Sequence, residues 1–212
     1  MPRIKTPSRI EEAPVASRSL LKGVAERFGR VPALLRLLSV SPAALEGYLA
    51  LRSALGRGAL GAETAQRISL AVAEANSCPY CVSAQTYCAR KLVGLDDAEI
   101  TANRNGASND PAAEAAVCFA VGLLRRRGDV SDDDISTLKA SGYDDAQIIE
   151  IAAPVALNSL ASLVARVGAP EIDFPLIKPG RAAWCPGGLR YEKKKRFIER
   201  LGVLGSDDCE EG

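Results

Sequence analysis

The chain contains no histidine. Imidazole is the side chain whose ordinary pKa lies near neutrality, so any proton relay here must be built from other groups. Histidine-based metal sites and histidine-activated nucleophiles are excluded with it. Aromatic residues make up only 5% of the sequence, with one Trp and one Met. A core must therefore be filled by Ala, Leu, Val and Ile, a set that suits closely packed helices better than sheets. Charge of one sign is also lacking: 27 basic residues face 26 acidic ones, which gives no electrostatic reason to expect nucleic acid as a partner. No apolar run reads as a membrane span, and the first twenty residues lack the apolar centre of a secretion signal. The expectation is a cytoplasmic protein without membrane contact.

What is present reads as helix throughout. Hydrophobic residues reach 47% of 212, enough for a real core, and the length fits one domain with extended ends or at most two small ones. Ser19 to Phe28 is expected to form a helix ended by Gly29. Ser41-Pro42 supplies an N-cap and a pre-set first turn for a second, running to about Leu55. Glu63 to Ala75 follows, with Ala65, Ile68, Val72 and Ala75 on one apolar stripe. Pro79 opens the next, which Gly94 should stop. Asp96 to Glu99 has the capping-box pattern for a short helix reaching Asn103. Asp110-Pro111 begins a helix to Arg127, and Ser131 to Asp134 caps one closed near Gly142. A long apolar helix runs from Asp144 or Asp145 to Val167, where Pro154 should kink or split it. Residues 171–177 read as extended and end the bundle. The predicted division is a helical domain over 1–177 and an irregular extension over 178–212, the latter with a short helix around Tyr191 to Leu201, a basic run at Lys193 to Arg196 and an acidic end.

The chemistry concentrates at Cys78-Pro-Tyr-Cys81. Two thiols separated by two residues can close into a disulfide and reopen, carrying two electrons. Cys78 falls at a helix cap, where free backbone N–H groups and the macrodipole favour a thiolate. On the helix that follows, Cys81, Gln85 and Cys88 share a face. Three readings compete. A glutaredoxin-type site needs a strand before the motif, and residues 68–75 have helical periodicity instead. A zinc site wants a second Cys/His pair at ligand spacing, which Cys88 and Cys118 do not supply. A thiol oxidoreductase built on helices remains. Cys88 and Cys118 read as buried small hydrophobes, Cys185 and Cys209 as incidental, and Tyr80 and Tyr87 as packing residues.

Further segments carry a resemblance. Glu12-Ala-Pro, Phe28-Gly-Arg-Val-Pro-Ala-Leu, Ser41-Pro-Ala-Ala-Leu-Glu-Gly-Tyr-Leu, the stretch Ile68 to Cys81, Leu95-Asp-Asp-Ala-Glu-Ile, Val155-Ala-Leu-Asn158 and Glu171-Ile-Asp-Phe-Pro175 together resemble the alkylhydroperoxidase D-like branch of the carboxymuconolactone decarboxylase superfamily, over residues 8–176. The resemblance implies an all-α bundle without a cofactor, assembled into trimers or hexamers. It further implies a dithiol that reduces hydroperoxides and is restored by a dithiol or lipoyl-bearing donor. It assigns peroxide attack to Cys81 and resolution to Cys78, whereas cap position alone favours Cys78 as the reactive thiol.

The departures from the family pattern matter equally. A relay Glu and a relay His are expected at the positions held here by Gln66 and Gln85, and a further His often precedes Val-Ala-Leu-Asn, where this chain has Pro154. Amides hydrogen-bond but carry no proton near neutral pH. Glu74 and Glu63 are candidate replacement acids, against the plainer reading of a solvated helix face. Two functions stay open: a weakened thiol peroxidase or disulfide reductase, and a non-enzymatic descendant that uses the bundle for assembly or partner binding. A lactone decarboxylase is third, since that branch has no need of a CxxC pair.

Overall fold

A computed structural model describes residues 2–180, and every regular element among them is helical. After a single 3-10 turn at Ile10–Glu12 come α1 (Val15–Phe28), α2 (Ala33–Leu38), α3 (Pro42–Leu55), α4 (Ala62–Ala75), α5 (Pro79–Cys88), α6 (Asp97–Arg104), α7 (Pro111–Arg125), α8 (Asp132–Ala140) and α9 (Asp145–Gly168). The local signals account for most boundaries. Ser41, Cys78, Asp96, Asp110, Ser131 and Asp144 each accept a backbone N–H in the first turn of the helix they precede. Each satisfies a donor that would otherwise be orphaned.

Several expectations need correction. The first helix begins at Val15 rather than Ser19, because Pro14 pre-sets the entry. α2 lacked any sequence signal. Its leading amides are satisfied from far along the chain: Ala33 N–H donates to Asp173 Oδ2 (2.9 Å) and Leu34 N–H to the Tyr80 hydroxyl (3.1 Å). Pro154 does not split α9, which continues over 24 residues. That helix is also long and apolar enough to cross a membrane by length and composition, contrary to the sequence reading. Half of its most apolar stretch is buried inside the fold, as in a core helix. α5 ends at Cys88 and passes through a π turn, Ala89–Val93, before Gly94 closes it at φ 84°. Only a residue without Cβ adopts that conformation without strain.

α4 sits at the centre, against α5, α6, α7 and α9. Its burial is continuous from Arg67 to Glu74 with the exception of half-buried Ser69, so the anticipated single stripe is in fact a helix enclosed on nearly all sides. One core joins α1, α2 and α3 to the start of α5 and the end of α9, with Leu21, Leu45 and Val82 fully buried in it. A second joins α4, α7 and α8 to the start of α9 around Ile68, Val117 and Ile151. Cys78 and Cys81 belong to the first.

The pairing of Asp96 with Glu99 is only half a capping box. Asp96 Oδ1 accepts the Glu99 amide (2.7 Å), but the Glu99 carboxylate turns inward. There it receives Arg67 (2.8 Å), Asn103 (2.8 Å), Ser108 (2.6 Å) and the Asn109 amide (2.8 Å), tying α4, α6 and the following loop together.

After α9 the chain runs extended across the first core, seating Ile172, Phe174 and Ile177 against it. It does not leave the body at residue 177. The Lys178 carbonyl accepts from Arg104, and the Gly180 amide donates to Glu74. The expected helix near Tyr191, the basic run at Lys193 to Arg196, Cys185 and Cys209 lie outside the described residues.

Where α9 meets α2 there is no spare room. A Cβ on Gly168 would collide with Leu37 Cδ2 and stand 2.7 Å from its Cδ1, and Leu37 is itself buried. Gly168→Ala should therefore cost about 1–3 kcal/mol through overpacking. Urea unfolding checks this, and unchanged stability would show that the contact yields easily.

Candidate functional site

The site is assembled at the three residues, Asn76 to Cys78, between α4 and α5. Ser77 adopts a left-handed backbone (φ 49°), unusual for a residue with a side chain. The turn is braced from α9: Arg166 donates to the carbonyls of Asn76 (2.5 Å) and Ser77 (3.2 Å). A guanidinium thus covers the carbonyl end of α4 while the amide end of α5 faces the next residue, Cys78.

Cys78 is the N-cap of α5, and its Sγ accepts the Cys81 amide at 3.3 Å. Both thiols are free. The Cys78 thiol is held down to about 7, first by the hydrogen bond from the Cys81 side chain. Burial opposes this, while the Cys81 amide, Ser162 and the charge of Arg166 assist it. Cys81 is driven the opposite way, well above the ordinary thiol range, because it donates to Cys78 and is buried beside that developing charge. Cys78 is therefore the sulfur more readily ionised, and Cys81 the one that keeps its proton.

Exposure separates the two thiols differently. Both are buried, at 1% and 2%. Cys81 nevertheless forms part of the wall of a cavity of about 260 Å³, and Cys78 does not. Gln85 and Cys88 line the same cavity, as their shared helix face requires. Tyr80, Tyr87 and Phe174 supply aromatic wall. Phe174 sits edge-on to Tyr80 (5.8 Å) and tilted to Tyr87 (5.5 Å), with Arg30 above its ring at 4.5 Å. Burial raises the Tyr80 phenol far beyond neutral pH, so it stays protonated and bridges the Leu34 amide to Asp173 (3.1 Å). Its role is architectural. Burial likewise raises Cys88, against the pull of Arg52 and Arg30.

Gln66 and Gln85 face each other. Gln66 Nε2 donates to Gln85 Oε1 (3.0 Å), and Gln85 Nε2 donates to Asn158 Oδ1 (2.8 Å). Asn158 Nδ2 donates to Ser69 Oγ (3.0 Å), whose hydroxyl ends on the Ala65 carbonyl (2.7 Å). The ladder is closed upon itself and holds no group that titrates between the carboxylate and thiol ranges. Pro154 supplies a carbonyl to Asn158 (2.8 Å). The hydroxyl that reaches the dithiol is that of Ser162, 3.5 Å from Cys81 Sγ and one helical turn beyond Asn158 on α9.

Neither candidate acid is bonded to the thiols. Glu63 is exposed and pairs with Arg67 (3.3 Å). Glu74 is only 2% exposed, which overturns the solvated-face reading; its carboxylate holds Arg104 (2.7 Å) and the Gly180 amide. It fastens the extended segment to α4 and α6. Cys118 lies apart, its thiol donating to the Gly106 carbonyl (3.4 Å). Ser162 and Arg166 were not legible as site residues, since both reach the turn and the dithiol from α9. Asn158 and Asp173 fall in segments that carried the resemblance, Val155-Ala-Leu-Asn158 and Glu171-Ile-Asp-Phe-Pro175.

Residues 42–126 match the carboxymuconolactone decarboxylase family. The fold is similar to that of a peroxidase-related protein with an alkylhydroperoxidase core from Ralstonia eutropha JMP134, with a TM-score of 0.73 at 22% identity over 81% of this chain and 92% of that one. It is similar also to a peroxidase-related protein from Silicibacter sp. TM1040 (TM-score 0.71, 22% identity, 82% and 93% covered). The debrominase Bmp8, in complex with 2,3,4-tribromopyrrole, shares it too (TM-score 0.67, 17% identity, 82% and 94% covered). At such identities the likeness is one of fold. No curated protein matches the sequence.

Proposed function

We infer that this chain is a carboxymuconolactone decarboxylase-like protein of the alkylhydroperoxidase D type and a thiol-dependent reductase of organic hydroperoxides working through Cys78 and Cys81, a reading supported by the family match over residues 42–126 and by the likeness of fold to peroxidase-related proteins. One arrangement carries the reading: Cys81 lines the cavity, and Cys78 stands behind it at the cap of α5, its Sγ accepting the Cys81 amide at 3.3 Å and its thiol held below the ordinary pKa. The pair therefore contains its own base. Cys78 does for Cys81 what a relay histidine would otherwise do, and the amide ladder only holds α4, α5 and α9 in register.

The steps balance without a cofactor. Cys81 passes its proton to the Cys78 thiolate and attacks the outer oxygen of R–O–O–H. The O–O bond breaks, a sulfenic acid forms on Cys81, and the departing alkoxide recovers the proton from Cys78 to become R–OH. Cys78 thiolate then attacks the sulfenic sulfur; the disulfide forms and hydroxide leaves, taking a solvent proton to become water. Two electrons move from the two sulfurs to the peroxide. An external dithiol, of which a lipoyl-bearing protein is the expected kind, returns them by exchange. Such cycling suits a reducing compartment, in keeping with a cytoplasmic protein. Exposed Leu163 and Val167 on α9 (62% and 61%), with Leu176 (62%), support assembly into a homo-oligomer.

The test is stopped-flow mixing of the reduced protein with an organic hydroperoxide, followed by mass spectrometry for a Cys78–Cys81 disulfide. Thiol loss with a mass decrease of two hydrogens is the expected result. A debrominase on this fold indicates that it hosts more than one reaction. The second reading, a catalytically silent partner-binding oligomer, is favoured by the closed amide ladder. It prevails if the wild type leaves peroxide untouched and turnover appears only in Gln66→Glu/Gln85→His.

A further inference from the structure

The cavity that Cys81 lines is cationic at its rim and apolar within. Arg27, Phe28 and Arg52 are its exposed lining, and Leu34, Leu49 and Ala84 are less exposed apolar wall that it shares with the Cys81 sulfur. The adjoining hollow of about 510 Å³ shares the same rim, and neither space has an aspartate or glutamate in its wall. This is a local property, because the chain as a whole is nearly neutral.

Arg30, the third at this cavity, is paired with Asp173 at 3.0 Å. Arg27 and Arg52 make no ion pair among the described residues. Their guanidinium carbons lie 5.6 and 5.8 Å from the centre of the same Phe28 ring, and Arg52 also reaches the Tyr48 hydroxyl in the cavity wall. Two guanidinium groups that line the same two spaces, with no carboxylate in either wall, favour an anion there. Guanidinium forks bind a carboxylate through paired N–H donors.

We propose that this site takes an organic hydroperoxide bearing a carboxylate, with the carboxylate held by Arg27 and Arg52 and the peroxide group against Cys81. The apolar stretch between them suits an alkyl or aryl spacer. With a cavity of about 260 Å³, a short spacer between carboxylate and peroxide is the form tested. The chemistry is that of the dithiol reading, on which this inference rests: two thiols and R–O–O–H become a disulfide, R–OH and water, with the carboxylate unchanged. The product is a hydroxy acid.

The experiment compares a short ω-hydroperoxy alkanoic acid with its methyl ester, in the wild type and in Arg27→Gln, Arg52→Gln and the double variant. In parallel, calorimetry measures binding of the corresponding hydroxy acid and its methyl ester to the reduced protein. The acid is expected to be preferred by roughly ten- to a hundredfold in both measurements, the range of charge-assisted hydrogen bonds. The preference should shrink with added salt and fall toward one in the double variant. Equal handling of acid and ester by the wild type overturns the proposal. If neither hydroperoxide is consumed, the thiol reading falls by itself and calorimetry decides the anion site: a preference for the acid keeps it, and parity removes it.

Discussion

Replacing Cys78 with serine should slow the reaction of Cys81 with an organic hydroperoxide by about 10²–10⁴-fold, the usual contribution of a positioned base. The expectation follows from the opposite treatment of the two sulfurs. Cys78 receives hydrogen bonds at a helix cap and lies under the charge of Arg166, so its pKa is about 7. Cys81 is buried, donates to Cys78 and keeps its proton. A serine hydroxyl at 78 accepts a hydrogen bond but cannot take the proton, so Cys81 is left as an unreactive thiol. Any sulfenic acid that does form will persist, since no second sulfur stands ready to close the disulfide. Cys81→Ser should abolish peroxide consumption outright, because the sulfur facing the cavity is gone.

The pH profile carries the same signature. Below about pH 7 Cys78 is protonated and cannot act as base, so the wild-type rate should rise about tenfold per pH unit and level off above that value. Stopped-flow rates across pH 5 to 9 for the wild type and both variants are the measurement. A Cys78→Ser protein that keeps the wild-type rate would falsify the internal-base mechanism. Trapped sulfenic acid on Cys78 in the Cys81→Ser variant would reverse the roles of the two sulfurs.

Glu99→Ala is expected to destabilise the fold by about 3–5 kcal/mol, the range for breaking a buried pair and leaving its partner unmatched. The Glu99 and Arg67 side chains are 8% and 11% exposed, and their bond is 2.8 Å long. Removing the carboxylate also strands Ser108, Asn103 and the Asn109 amide. Arg67 retains only a longer contact with exposed Glu63, which offsets part of the loss. Glu99→Gln, which keeps the shape and one acceptor, should cost roughly half as much.

Burial pushes the Glu99 carboxyl up, but the bonds from Ser108, Asn109, Asn103 and Arg67 outweigh it and hold the pKa below the ordinary carboxylate value. The folded state therefore binds this proton less tightly than the unfolded chain. Its contribution to stability is fully present above the ordinary value of ~4.3 and is lost as pH falls from there through the lower folded value. Urea titrations at pH 7 and at pH 4 on wild type and Glu99→Gln separate the two contributions. Wild type should lose stability on acidification more steeply than the variant. A Glu99→Ala protein within 1 kcal/mol of wild type would show that the loop simply re-solvates.

Helix content, most of the helix starts and the placing of Cys78 and Cys81 at the head of α5 were legible in the order of residues alone. Caps such as Ser41, Asp110 and Ser131 act within a turn of where they stand, and 3.6-residue periodicity is a property of neighbours, so local sequence contains that information. Burial, access and charge at the site were not, because they depend on elements that meet only on folding. α2 exists because Asp173 and Tyr80, far along the chain, satisfy its first amides. Glu74 and Glu99 resemble any surface glutamates until packing removes water from them and Arg104 and Arg67 take its place. Which thiol faces the cavity was likewise decided by the tertiary fold: α5 turns Cys81 toward the space that α1, α3 and the 171–177 segment leave open, and Cys78 stays behind it at the cap.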